Sequence, residues 1–221
     1  MTRSFDAPKA TSTSQRFTMQ GIRRLGGSLV VVVWLAVTGV CVASLTAAHW
    51  ITLPHPPVGD TLKAVVAEDE RHDQLRAFHF LYRDCPCSRR VLDDVLDRPS
   101  VEGVIERVVL ISVSAHDDAE TINFPEDFEV DRCTPPELLS RYGVESAPLL
   151  VVVRNDGEIV YSGGYTTRKQ GPEIRDEEIL TALARSESVE SLPVYGCAVS
   201  EELQQLVDPL RLKYSAWGGR E

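Results

Sequence analysis

Residues 141–168 read RYGVESAPLLVVVRNDGEIVYSGGYTTR, and this stretch decides the fold. Leu149 to Val153 is a short unbroken apolar run, the pattern of a strand buried on both faces. Asn155-Asp156-Gly157 is a turn signal, and Glu158 to Ser162 returns as an antiparallel strand. Upstream, TPPELLSRY (134–142) predicts a short helix. Thr134 suits the N-cap, Pro135 the first helical position and Gly143 the residue past the end.

Working outward, AFHFLYR (77–83) is aromatic and apolar and predicts a buried strand, preceded over 62–76 by a helix or mixed segment. Asp84-Cys85-Pro86-Cys87-Ser88 follows. RRVLDDVLDR (89–98) then places Val91, Leu92, Val95 and Leu96 on one helical face, and Pro99 stops that helix. VIERVVLISV (104–113) predicts another strand. Residues 115–132 are polar, contain Pro125 and read as an irregular insertion. Residues 173–186, with Ile174, Ile179, Leu180 and Leu183, predict a final amphipathic helix. The order β-α-β-α-β-β-α is mixed α/β.

This ordered set resembles the thioredoxin-like superfamily over roughly residues 62–186. The aromatic strand, a cysteine motif opening a helix, a Tyr-Gly-Val step, Ala147-Pro148, a hairpin and Gly163-Gly164 occur in that family's order. Among its members the chain looks most like the TlpA-type thiol–disulfide oxidoreductases, which are tethered by one N-terminal helix and carry an insertion before the cis-proline helix. The resemblance implies a central mixed sheet flanked by helices. It also implies a cis bond before Pro148, with Pro148 lying against the sulfurs, and Ala147 and Pro86 forming the surface that meets an incoming peptide. No cofactor and no resident metal are implied.

The chain departs from the family at the motif itself, where Cys85-Pro86-Cys87 stands in place of Cys-x-x-Cys. Cys85 is read as the attacking thiol at an exposed N-cap position and Cys87 as the resolving thiol; the reverse assignment is the alternative. A helix N-terminus favours a thiolate, and the thiolate is the nucleophile in disulfide exchange. Arg83, Arg89 and Arg90 add positive potential, while Asp84 opposes it. A disulfide across one intervening residue is tight, since Cα atoms in disulfides prefer about 5.5–6 Å. Strain of that kind makes a bond more oxidising. The competing reading is a thioredoxin-fold copper chaperone or a non-catalytic docking module. Its candidate ligands beside the pair are His72, His79, His116 and Cys133, and none has a diagnostic spacing.

Three further cysteines remain. Cys41 lies in an apolar run. Cys133 and Cys197 are expected to pair as a structural disulfide in an oxidising compartment, because that leaves no odd thiol outside the membrane. In the alternative, Cys197, in YGCAVS, approaches the active site and relays electrons.

The apolar run is LVVVVWLAVTGVCVASLTAA (29–48), within an uncharged stretch from Leu25 to Trp50. About 20 apolar helical residues span the ~30 Å hydrocarbon core. A cleaved signal peptide would have a shorter core. Residues 25–50 are therefore read as a single transmembrane helix. Arg23 and Arg24 keep residues 1–24 cytoplasmic and send the rest to the periplasmic side of a bacterial inner membrane. Residues 51–60, including TLPHPPVGD, form a Pro-rich linker. Residues 61–186 form the folded domain, and 187–221 a C-terminal extension, helical near Leu203, Leu206 and Val207.

Charge supports this division. Of 221 residues, the first 24 carry five basic groups and one acid, and the net charge of −10 leaves the remainder at −14. An acidic domain repels phosphate backbones, so nucleic acid is excluded as a partner. The expected partners are protein thiols or disulfides in the periplasm.

Overall fold

A computed structural model describes residues 28–43, 52–53, 74–113, 122–169, 171–209 and 214. The expected tail, most of the linker, the start of the 62–76 segment, His72, His116 and the flanks of the apolar run lie outside the described residues. The chain divides into two units, Met1–Ile51 and Thr52–Glu221. In the first, residues 28–43 form helix α1. Among the described residues no helix is long and apolar enough to cross a membrane.

The second unit is built on a five-stranded mixed sheet in the order β3-β2-β1-β5-β6. Strand β1 (Leu75–Tyr82) leads into helix α2 (Pro86–Leu96), which crosses over to β2 (Val104–Ile111). β1 and β2 are parallel, in register from Leu75 opposite Val104 to Tyr82 opposite Ile111. β3 (Phe128–Cys133) extends the sheet in parallel beyond β2. Helix α3 (Pro135–Tyr142) precedes the two-residue strand β4 (Ser146–Ala147) and β5 (Leu149–Val153). β5 runs antiparallel to β1, and β6 (Ile159–Gly163) antiparallel to β5. Helix α4 (Asp176–Ala184), strand β7 (Cys197–Ala198) and helix α5 (Glu201–Val207) complete the chain order.

Local chemistry explains these boundaries. β1 and β5 are buried on both faces because α2 and α4 pack on one side of the sheet, and α3 and the C-terminal segment on the other; each buried Leu, Val or Phe contributes about 1.5–3 kcal/mol. The Glu137 carboxylate accepts from the Thr134 amide at 2.7 Å and from its hydroxyl at 2.9 Å, tying down the start of α3. Gly143 ends that helix at φ 66°, a left-handed position that glycine adopts without penalty.

Alternation along the strands sends residues to two cores. Phe78, Phe80, Tyr82, Leu149, Val151 and Val153 face one side, where α3 contributes Leu138 and Tyr142. Ala77, Leu81, Val108, Leu110, Leu150 and Val152 face the other, under α2 and α4. The C-terminal segment packs on the first side through Val194, Cys197, Ala198, Val199, Leu203 and Tyr214.

Two sequence expectations change. Leu75 and Arg76 belong to β1, not to a preceding helix. The supposed irregular insertion ends in a true strand, β3. Its sequence FEVDRC hides the period: Phe128 and Cys133 are buried, three charged residues lie between, and the apolar Val130 is exposed along with Arg132.

Candidate active site

Cys85 is the N-cap of α2, with extended backbone (φ −91°, ψ 117°). Its amide donates to the Tyr82 carbonyl and its carbonyl accepts from the Arg89 amide, both at 3.0 Å, so the strand turns into the helix at this residue. Pro86 occupies the first helical turn, where an N–H would find no partner within the helix. Cys85 is the N-cap that the sequence suggests, but it is not exposed. It is fully buried, whereas Cys87 is partly exposed. The C-terminal segment covers the side that a sequence reading leaves open.

The cover is specific. The Cys85 thiol donates to the Ala147 carbonyl at 3.8 Å. Ala147 precedes Pro148 across a cis peptide bond. On its other side Ala147 is paired with Cys197, as β4 and β7 form a two-stranded antiparallel sheet. Gly196 makes this approach possible. A Cβ there would lie 2.1 Å from the Ala147 carbonyl oxygen and 2.6 Å from the Pro148 ring. The Pro148 ring thus packs on Gly196, and it is the Ala147 carbonyl that touches the Cys85 sulfur. Pro86 stays exposed at the helix start, but the Ala147 edge expected to receive a peptide is occupied by β7.

The segment is held at several further points. The Val199 amide donates to the Glu145 carbonyl at 2.7 Å. Ser200 donates to the Glu145 carboxylate at 2.8 Å and caps α5 by accepting from the Leu203 amide at 3.1 Å. Tyr214 accepts from the Ala198 amide at 2.9 Å. Gly164 lies so close to the Pro193 carbonyl that a Cβ would stand 2.1 Å from its oxygen.

These neighbours tune Cys85. Its thiol is held far below the ordinary range, first by a hydrogen bond from the Cys197 thiol and then by one from Cys87; burial opposes them, and the Ser88 and Cys87 amides at the helix start add to the lowering. The arginines counted in the sequence are not among the leading causes. Burial first, then Asp84, pushes the Tyr82 phenol well up, so it stays neutral beside the thiols. Cys133, at the end of β3, goes the other way: burial first, then Asp131 and Glu137, push it up to about 12.

Cys133 and Cys197, expected to pair, are not joined in this structure, and Cys197 is engaged with Cys85. Parity counts thiols but cannot register the β4–β7 pairing that sets Cys197 opposite Ala147. The one sequence signal was Gly196 beside the cysteine, since a glycine in a strand marks a close backbone approach.

His79 sits elsewhere. Among the described residues, the one group of potential metal ligands whose donor atoms all lie within 4.8 Å of one another is His79, Glu106 and Asp176. Arg98 already fills it. The guanidinium reaches Glu106 and Asp176 at 2.6 Å each, and His79 Nε2 meets Glu106 at 3.0 Å. The Val101 amide also donates to Glu106 at 2.6 Å, and Tyr165 lies 3.2 Å from His79 Nδ1. Burial alone would raise the Glu106 carboxyl, but His79 and Arg98 outweigh it and hold it down at about 2. This is an ion-pair network across the sheet from Cys85, and Cys133 has no part in it.

The family described as Thioredoxin-like domain matches residues 59–173, more than half of the chain. The chain belongs to the thioredoxin-like domain family. The stretch that matches holds Cys85, Cys87 and the cis Pro148 but stops short of Cys197. Among solved structures, the thioredoxin-like chain is similar to an uncharacterized conserved protein from Geobacillus kaustophilus, at 18% identity over 60% of this chain and 80% of that one, TM-score 0.43. It is also similar to a hypothetical protein from Sinorhizobium meliloti 1021, at 14% identity over 58% and 80%, TM-score 0.41. No curated protein matches the sequence.

Proposed function

We propose that this thioredoxin-like protein is a thiol–disulfide oxidoreductase of the TlpA type, working through Cys85 and Cys87. It is tethered to a bacterial inner membrane by residues 25–50 and acts on exported proteins at the periplasmic face. The observation that carries the chemistry is Cys85 itself: a buried thiol at a helix N-cap, touching the carbonyl before a cis proline, with its thiolate favoured. A stabilised thiolate is both nucleophile and leaving group in disulfide exchange. Cys85 is the stabilised thiolate, and Cys87 is the sulfur that solvent reaches.

The tether rests on the uncharged run and on α1, whose apolar side chains are exposed, Leu29 at 67% and Trp34 at 63%. An exposed apolar helix of this kind suits a lipid surrounding.

The test uses the full chain in detergent, reducing insulin disulfides with a small dithiol as electron donor. Turnover should fall to background in Cys85→Ser and in Cys87→Ser. Undiminished turnover in Cys85→Ser, or stoichiometric Cu(I) binding by a chain that never turns over, would overturn the proposal.

A further inference from the structure

The site contains a third sulfur that the sequence motif does not. Cys85 touches the Ala147 carbonyl, and Cys197 is the residue directly across the β4–β7 ladder from Ala147. Directly opposed residues on an antiparallel pair place their side chains on the same face, with Cβ atoms about 4.5–5.5 Å apart. Cys85, Ala147 and Cys197 accordingly share one dry cluster, with Cys87 packed at its edge. Gly196 and Gly164 let the segment approach this closely, as nothing larger than hydrogen fits at either position.

The arrangement is a relay and not a chelate. Three thiolates gripping one soft ion would need their sulfurs mutually close. Among the described residues no three cysteines have their sulfurs all within 4.8 Å of one another. Cys85 touches the residue paired with Cys197 and is separated from Cys87 by Pro86 alone, so it can meet either sulfur.

We propose that Cys197 is a catalytic residue, the thiol that resolves the Cys85–Cys87 pair by forming a Cys85–Cys197 disulfide. The inference rests on the reading of Cys85 and Cys87 as redox thiols. The partly exposed Cys87 attacks a substrate disulfide, releasing one substrate thiol and leaving a mixed disulfide. Cys85 attacks the Cys87 sulfur and releases the second substrate thiol. Cys197 then attacks the Cys85 sulfur, the Cys85–Cys87 bond breaks, and Cys87 is returned as a thiol. Two electrons pass from Cys85 and Cys197 to the substrate, whose disulfide becomes two thiols that take up the protons. A Cys85–Cys87 bond spans a single residue, whereas Cys197 comes from a separate strand and can meet Cys85 without bending the helix start. That difference drives the last transfer. The product also fastens β7 over Ala147, so oxidation closes the edge beside the cis proline.

The experiment oxidises the full chain in detergent with oxidised glutathione, alkylates the remaining thiols and maps the cross-linked peptides by mass spectrometry. The wild type and Cys87→Ser should both yield a Cys85–Cys197 peptide, and Cys87→Ser should lose two thiols from this pair. Cys197→Ser should yield Cys85–Cys87 alone, with a urea midpoint like that of the wild type showing that the fold survives. If Cys197 is alkylated in the oxidised wild type while Cys85–Cys87 accumulates, this inference fails and the proposed function stands. A Cys133–Cys197 peptide likewise overturns it. If Cys85 is alkylated in every sample, both fail.

Discussion

On one face of the sheet, Arg98 bridges Glu106 and Asp176 while His79 closes on Glu106, so that strong charges buried together are matched by opposite charges at close range. On the other face, Cys85 has around it two thiols, one carbonyl at 3.8 Å and the amides of a helix start. Both clusters are dry and both lie against β1. The first network is rigid because the Arg98 guanidinium holds two buried carboxylates, and its loss leaves both as bare ions. The second is held by weak donors, so a sulfur can give up its proton and exchange partners while neighbouring thiols and helix-start amides stabilise the thiolate. Burial of polar groups serves stability in one place and reactivity in the other.

The sharpest way to break the first cluster is Arg98→Ala, which leaves Glu106 and Asp176 buried with no cation between them. It should cost about 3–5 kcal/mol in urea denaturation. The same cluster predicts a pH effect. Glu106 is held at about 2 in the folded state, against an ordinary carboxyl value near 4.5. Its contribution is complete above the unfolded value and is lost as pH falls from there through about 2. Glu106→Gln should flatten that part of the stability profile; an unchanged acid limb would show that Glu106 does not carry it.

The second cluster should break with a smaller loss of stability and a larger gain of reactivity. In Gly196→Ala the new methyl meets backbone at 2.1 Å, so β7 must move away from Ala147. We expect about 1–3 kcal/mol of destabilisation and faster alkylation of Cys85, read by mass spectrometry. Cys133 is the internal control: with its thiol pushed up to about 12, it should stay unreactive near neutral pH in both chains. Last, Tyr214→Phe removes the acceptor of the Ala198 amide and should cost about 0.5–1.5 kcal/mol, with Cys85 reactivity rising only slightly.

Much of this was legible in the chain. Residues 141–168 announce helix end, strand, turn and strand because each signal is local: Gly143 past a helix, a run of valines, Asn-Asp-Gly. Cys85-Pro86-Cys87 before a helical period marks the motif for the same reason. β3 was missed because an edge strand with charges at Glu129, Asp131 and Arg132 has no apolar alternation to read. The ion-pair network was missed because His79, Arg98, Glu106 and Asp176 come from four separate parts of the chain.

The sequence by itself determined the mixed α/β order, the position of the thiols at a helix start and the proline after Ala147, since these follow from spacing and from the conformations that Gly and Pro allow. Only the tertiary structure decided what Cys85 touches. A two-residue pairing of Ser146-Ala147 with Cys197-Ala198 has no periodicity of its own. It arises because Val194, Val199, Leu203 and Tyr214 bury apolar surface on the sheet, and that burial carries Cys197 to the active thiol.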